Sequence, residues 1–567
     1  MDRPSASLER ARGGDLLVSR RSFTSAAFAA AVAGPLASPA FAQPRPEIAA
    51  ALAAIRAFGK ADLDYNFLPG MTLGLVTPGG QRTIINFGYA NADARTPITP
   101  DTLFQIGSIS KVMVAALLHQ FAAEGRFRLN DRLSDLLPTV PLPTGNAIKV
   151  QDLLDHVAGL PGDAPMFPEG GLWTAYRPGQ HWHYSNTGYE ILGNLASHTG
   201  GKPLAQLLRE RIFAPLGMSR SRGAIIGSDR LLYAQGYEPS DQLVPYVRGT
   251  GLRPAPWVDV TAGAGCVAST ADDMMGFLSA LAGASRGQGM PGLPASLAKQ
   301  FVTHAVPSDA PGMAYANGLM HVAANGRPYL HHTGGMLSFS SSFHVDVTSG
   351  VGAFASSTLN AFAEYRPRLL TRFAVDALTN ALARRPLPSA PPLEAPLAHA
   401  ASYPGRYSGP AGDFQVRSGG PLMIVAAGAT APLQAVGDEQ FRTSHPVFRE
   451  FTLMFERRAG EVVGASWGPN IYRRDGKAGP IAKSDPSLAK LAGRYVNDNP
   501  WYGPAVVVER GGKLWVGTEV PMTSIAANLW RVGMDGWSPE RAAFANFIDG
   551  RPQTLILSGE KFVRHDI

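Results

Sequence analysis

Leu103-Phe-Gln-Ile-Gly107-Ser108-Ile-Ser-Lys111-Val-Met-Val-Ala-Ala-Leu-Leu-His119 holds a strand, a turn and a helix in one short stretch. Residues 103–106 read as an apolar strand, Gly107 as a turn, and 110–119 as a helix apolar enough to be buried. Ser108 then stands at a helix N-terminus, where unpaired N–H groups and the positive dipole end favour developing negative charge. Lys111 lies three residues on, on the same helical face. A serine hydroxyl is a weak nucleophile that needs a nearby base, and the oxyanion it creates needs fixed donors. Ser296-Leu-Ala-Lys299 and Ser487-Leu-Ala-Lys490 share the Ser-x-x-Lys spacing. Neither follows a strand or has partners in order, so both read as chance.

Two further signals follow in order. Tyr184-Ser-Asn186 ends a loop that feeds a helix beginning near Asn186. A tyrosine could serve as base there if a neighbouring ammonium favours the phenolate, and Lys111 is the candidate. His181 and His183 flank Trp182, but no cysteine or carboxylate set completes a metal shell around them. Farther on stands Tyr329-Leu-His331-His332-Thr333-Gly334-Gly335, followed by the alternation of Phe339, Ser341, Phe343 and Val345. Both segments read as strands. Gly334 and Gly335 would let a substrate lie against the backbone, and the Gly335 N–H could join that of Ser108 as an oxyanion hole. His331 is read as a surface or packing residue.

As an ordered set, these motifs resemble the class C β-lactamase and penicillin-binding-protein-like serine hydrolases over roughly residues 50–385. Leu153-Leu-Asp-His156-Val-Ala-Gly159-Leu160 and the Gly-rich turn 262–273 add to the resemblance; Thr270 and Asp273 could form a cap there. By that resemblance Ser108 is the acylated nucleophile and Lys111 and Tyr184 share the proton work. Asn186, His332, Thr333 and Gly334 then contact substrate. His332 stands where the β-lactamases carry a lysine. A histidine is only partly charged near neutral pH, which disfavours binding of a penicillin carboxylate. His-x-Gly at this position is similar to peptidases, D-aminopeptidases and esterases. Residues 169–176 are expected to line the pocket or to form a plain surface loop.

The flanks carry separate signals. Ser19-Arg20-Arg21-Ser22-Phe23 precedes a short alanine-rich apolar run and Ala40-Phe41-Ala42, the pattern of a twin-arginine signal over 1–42 and of a periplasmic or secreted protein. That run is too short to span a membrane. After the catalytic region, prolines between Pro386 and Pro396 mark a linker over 386–398. Beyond it Gly405-Arg406-Tyr407 recurs as Gly493-Arg494-Tyr495, and 471–475 parallels 562–566. Both halves are rich in short β-like runs ending in glycine turns, so two small barrels or sandwiches are expected over 399–480 and 481–567. The D-aminopeptidase branch of the family is similar in plan. Gly464-Ala-Ser466-Trp-Gly468 imitates a nucleophile elbow, but Pro469 forbids the helix that must follow.

Among 567 residues, 45% are hydrophobic and 17% charged, enough for several ordinary cores. The charge of +7 is scattered, and no nucleic-acid motif is present. Cys266 is the single cysteine, which excludes an internal disulfide and reads as a packed small hydrophobe. The expected fold class is α+β. A β-lactamase-like catalytic domain over 43–385, with an antiparallel sheet flanked by helices and a helical subdomain, precedes the two β-barrel-like domains. The expected function is acyl-enzyme hydrolysis of amide bonds in short or unusual peptides, such as D-residue peptides or linearised microcystin. Esters and β-lactams are the alternative, and a non-catalytic envelope-binding role is the distant third. Neither cofactor nor metal is implied, and the oligomeric state stays open.

Overall fold

The computed structural model describes residues 45–143, 147–360, 365–394, 396–477 and 483–565. The export-signal reading of 1–42 lies outside them. At the centre stands a nine-stranded antiparallel sheet in the order Thr96–Pro97, Arg82–Asn91, Gly70–Val76, Gly352–Ser357, Ser340–Asp346, Arg327–Gly335, Leu319–Ala324, Ala314–Ala316, Val306–Pro307. Every residue of Gly70–Val76, Ser340–Asp346 and Gly352–Ser357 is buried, so both faces of the sheet are covered. One face takes Pro46–Tyr65 and Arg368–Leu382, which meet through the Phe58 and Phe373 rings 5.2 Å apart. The other takes Ala271–Ser285. A Cβ at Gly74 would lie 2.9 Å from the Ala271 carbonyl, so the glycine sets how closely that helix can approach.

The Ser110–Ala123 helix is buried nearly all round, as its sequence requires. It packs between the sheet and the Asn186–Gly200 and Leu204–Leu208 helices. Cys266 is fully buried in this core, and burial pushes its thiol up to about 12. Thr270 caps Ala271–Ser285 by accepting from the Asp273 N–H at 3.2 Å. The Asp273 carboxylate turns instead to Ser221, whose N–H and hydroxyl it accepts at 2.7 and 2.8 Å. Ser466 lies on the Glu461–Trp467 strand, as expected.

The proline-rich stretch is irregular but not free. Leu393 packs on the core beneath the central sheet and Leu397 on the first β-unit. That unit is a nine-stranded sheet wrapped round an aromatic core of Tyr403, Tyr407, Phe414, Phe441 and Phe455. Its end strands, Ala429–Pro432 and Gln434–Gly437, are consecutive yet not hydrogen-bonded to each other, so the barrel stays open. The second unit is a closed eight-stranded barrel over 493–564.

The sequence repeat is a structural repeat. The Tyr407 hydroxyl donates to the Tyr403 carbonyl at 2.6 Å, and the Tyr495 hydroxyl to the Leu491 carbonyl at 2.7 Å. Arg474 and Arg564 each fold over the glycine of the matching Gly-Arg-Tyr, where a Cβ would sit 2.8 and 2.3 Å from the guanidinium. The Asp475 N–H bonds the Arg406 carbonyl just as the His565 N–H bonds that of Arg494. The expected pairing of 471–475 with 562–566 is therefore out by one residue; Tyr472 matches Phe562, and both are core side chains. Tyr407→Phe and Tyr495→Phe are expected to destabilise their units by about 1–2 kcal/mol each, since each leaves a carbonyl without its donor. Urea unfolding of the full chain followed by tryptophan fluorescence would measure the loss.

Candidate active site

Ser108 sits in a 3-10 turn, Gly107–Ile109, that leads into the Ser110–Ala123 helix. Gly107 has φ of 56°, and a Cβ there would lie 2.7 and 2.8 Å from the carbonyl and amide of Gly335. Only glycine allows this turn to rest on that strand end. The Ser110 hydroxyl clamps it, donating to the Gly107 carbonyl at 2.6 Å and accepting from the Val267 N–H at 3.0 Å. The Arg327–Gly335 strand pairs with Ser340–Asp346 along 329–335, but with Leu319–Ala324 only as far as His331. Residues 332–335 thus extend past one neighbour, and Gly334 abuts the Ile106 carbonyl, which a Cβ would approach to 1.9 Å. Ser185 caps the Asn186–Gly200 helix by accepting from the Gly188 N–H, which delivers Asn186 to the same place.

Lys111 joins these pieces. Its fully buried Nζ lies 3.0 Å from Ser108 Oγ, 2.7 Å from Asn186 Oδ1 and 2.8 Å from the Ala264 carbonyl. Burial pulls its pKa down to about 7, against the raising effect of Asp163, Glu190 and Cys266. A neutral amine has two N–H groups and one lone pair. Asn186 Oδ1 and the Ala264 carbonyl can only accept, so they take the two N–H groups and leave the lone pair to the Ser108 hydroxyl. Asn186 is held in this orientation because its Nδ2 donates to Asp163 Oδ1 at 2.7 Å.

Tyr184 differs from the expectation of a phenolate. Burial raises its pKa above the ordinary value, outweighing its hydrogen bond with Ser108 and the Arg366 charge. The Lys111 amine lies 4.9 Å from the centre of its ring. Tyr184 is therefore a protonated phenol next to Ser108. His156 is buried and packs against it at 4.3 Å between ring centres, with the planes 45° apart, and accepts the Ser185 N–H through Nδ1 at 3.1 Å.

His332 is not partly charged. It is buried, and burial, reinforced by Lys111, pushes its pKa down to about 3. Its Nε2 is 3.3 Å from the Tyr315 hydroxyl, its Nδ1 bonds the Thr333 carbonyl, and its ring packs 6.3 Å from that of Tyr184. His331 packs on His344 at 4.0 Å. His181 and His183 face residues of the C-terminal barrel. Among the described residues no group of three metal-ligating side chains occurs.

Ser108, Asn186 and Gly335 line a pocket of about 360 Å³. Its charged lining is wholly acidic, from Asp163, Glu190, Asp259 and Glu560, and burial with the Asp163 charge pushes Glu190 up to about 7. Trp501, Tyr502 and Glu560 come from the closed barrel, and motif reading did not find them because no motif places a barrel loop beside Ser108. Arg366 was missed as well. Its Nη2 lies 2.3 Å from where a Gly335 Cβ would stand, and its Nη1 is held by Asn360 Oδ1 and the Tyr365 carbonyl, both at 2.6 Å. The 169–176 stretch lies against the barrel: Glu169 pairs with Lys561 at 2.9 Å, and Trp173 Nε1 donates to the Pro539 carbonyl at 2.7 Å.

A family model described as Beta-lactamase matches residues 56–376, which contain Ser108, Lys111, Tyr184, Asn186 and the 332–335 strand end. A Beta-lactamase of Pseudomonas fluorescens is 32% identical over 181 residues, 30% of this chain and 50% of that protein. The D-alanyl-D-alanine-carboxypeptidase/endopeptidase AmpH of Escherichia coli K12 is 27% identical over 327 residues, 52% of this chain and 81% of that one. The chain spans about half the length of several curated relatives it matches. The octameric penicillin-binding protein homologue from Pyrococcus abyssi superposes with a TM-score of 0.53 at 20% identity, covering 74% of this chain and 99% of its own, a likeness of fold alone. Since the matched segment exceeds half of the sequence, this chain belongs to the beta-lactamase family, a family of serine hydrolases.

Proposed function

We propose that this protein hydrolyses amide bonds of short or unusual peptides through an acyl-enzyme on Ser108. The observation that carries the reading is the Lys111 amine, buried, lowered to about 7 and 3.0 Å from Ser108 Oγ. Neutral Lys111 takes the Ser108 proton as Oγ attacks the carbonyl, and the N–H groups of Ser108 and Gly335 hold the oxyanion. Tyr184, a phenol at this point, gives its proton to the departing amine and is reprotonated from Lys111. Water then enters in place of the amine. It gives a proton to Tyr184, whose own proton passes to neutral Lys111, and collapse returns the Lys111 proton to Ser108. Thr333, Gly334 and Gly335 offer backbone to an extended substrate, with Asn186 at its amide and His332 supporting Tyr184 from behind.

The acidic pocket wall supports a substrate bearing a free ammonium, as a short peptide does. D-residue peptides and linearised cyclic peptides, linearised microcystin among them, fall in this class. A second reading has its own observation. The Arg366 guanidinium beside Gly335 would suit a carboxylate, as in a β-lactam or a peptide C-terminus, and one relative is named as a D-alanyl-D-alanine carboxypeptidase. On either reading we take 43–385 as the hydrolase domain, 399–480 and 481–567 as appended β-domains, and the protein as exported to the periplasm or beyond. Among the described residues no helix is long and apolar enough to cross a membrane.

A panel of L- and D-aminoacyl anilides, a p-nitrophenyl ester and nitrocefin tests the reading. Anilide turnover with an acyl adduct on Ser108, abolished in Ser108→Ala, is expected; turnover of nitrocefin alone would move the assignment to the second reading. Acylation by the uncharged ester should fall as pH drops below about 7, because only neutral Lys111 accepts the serine proton. Asp163→Asn removes the largest charge that raises the Lys111 pKa, while its carboxamide oxygen can still accept Asn186 Nδ2, so that acid limb should move to lower pH. A limb that stays in place would count against Lys111 as the base.

A further inference from the structure

We propose that the closed C-terminal barrel holds the segments bearing Tyr184 and Asn186 in register with Ser108, with Glu540 and Trp537 as positioning residues. This rests on the serine-hydrolase reading above. Glu540 immediately precedes the Arg541–Ile548 strand of the barrel, yet one of its carboxylate oxygens reaches the hydrolase unit. Oε1 accepts from the Gly162 N–H at 2.7 Å and lies 3.0 Å from His183 Nε2, while Oε2 is held by the Ser558 hydroxyl of its own barrel. Desolvation opposes the charged form, but the bonds from His183, Ser558 and Gly162 outweigh it and hold the carboxyl below its usual range. Glu540 is therefore an anion near neutral pH.

Both contacts lead directly to the site. The Gly162 carbonyl accepts the N–H groups of Asn186 at 2.7 Å and Thr187 at 3.2 Å, the first two residues of the Asn186–Gly200 helix. Fixing the Gly162 amide thus fixes the helix start that presents Asn186 to Lys111. His183 directly precedes Tyr184. Two residues earlier, His181 is covered by Trp537, stacked at 4.6 Å with planes 6° apart, and the Trp537 edge meets Tyr176 at 5.7 Å. A barrel that merely packed on the hydrolase could dock anywhere on its surface. Here a half-buried carboxylate of the barrel reaches the two segments that bracket Ser108.

Single-turnover acylation by p-nitrophenyl acetate, run on the full chain, separates positioning from folding. Burst amplitude counts intact sites, and the rate per site reports their geometry. Glu540→Ala should slow acylation per site by about tenfold or more with KM little changed, as small misplacements of reacting groups do. Glu540→Gln should recover most of the rate, because its carboxamide oxygen still accepts the Gly162 N–H. A Glu540→Ala rate within about twofold of the parent, or a loss confined to KM, would overturn the proposal. Should Glu540→Ala not fold, Trp537→Leu takes its place with the same criterion, since it removes the ring that packs on Tyr176, His181 and His183. A parent enzyme that gives no burst and no Ser108 adduct would overturn the hydrolase reading and this inference together, whereas a labelled parent with an unimpaired variant overturns this inference alone.

Discussion

The buried amine of Lys111 is the constraint on which the rest of the structure depends. A charged ammonium in a fully desolvated position costs several kcal/mol unless it is paired, and the neutral form escapes most of that cost. Among the described residues no carboxylate touches Nζ; Asp163 and Glu190 act through space, and its hydrogen-bond contacts are a hydroxyl, an amide oxygen and a carbonyl. The apolar character of the Ser110–Ala123 helix, which makes it central in the fold, is thus also what lowers the pKa of its lysine. Packing and chemistry are set by the same residues.

The same burial acts oppositely on the phenol. Desolvation disfavours charge of either sign, so it lowers the amine and raises Tyr184, which leaves an uncharged phenol and an amine close to neutrality beside one hydroxyl. His332, pushed down by the same environment, adds no charge and serves as packing behind the tyrosine. The remaining requirement is close backbone approach. Gly107 and Gly334 meet it by omission, since a Cβ on either would strike the facing backbone.

The C-terminal barrel contributes to the site from two directions. Trp501, Tyr502 and Glu560 form part of the pocket wall, while Glu540 and Trp537 hold the loop behind Tyr184. The open first barrel makes its contacts elsewhere: Leu397 seats the linker on it, and Gln434 accepts the Arg248 N–H at 2.9 Å. Two units built on one Gly-Arg-Tyr repeat have therefore taken different places, one beside the active site and one beside the linker.

The sequence by itself determined what depends on short-range order. Strand, turn and helix around Ser108 were legible because apolar periodicity and Gly107 punctuate them. The i to i+3 relation of Ser108 and Lys111 follows from helical geometry alone. The Gly-Arg-Tyr repeat announced two related β-units, although its second half was aligned one residue out, because short strands tolerate a slip that only the ladder to Arg406 and Arg494 removes. Tertiary structure decided everything that depends on the environment of a group. That includes the protonation of Tyr184 and His332, the guanidinium of Arg366 beside Gly335, and Glu540 reaching residues 378 positions earlier in the chain. Desolvation and long-range contact are properties of the folded surroundings, and no local pattern in a sequence encodes which atoms will exclude the water.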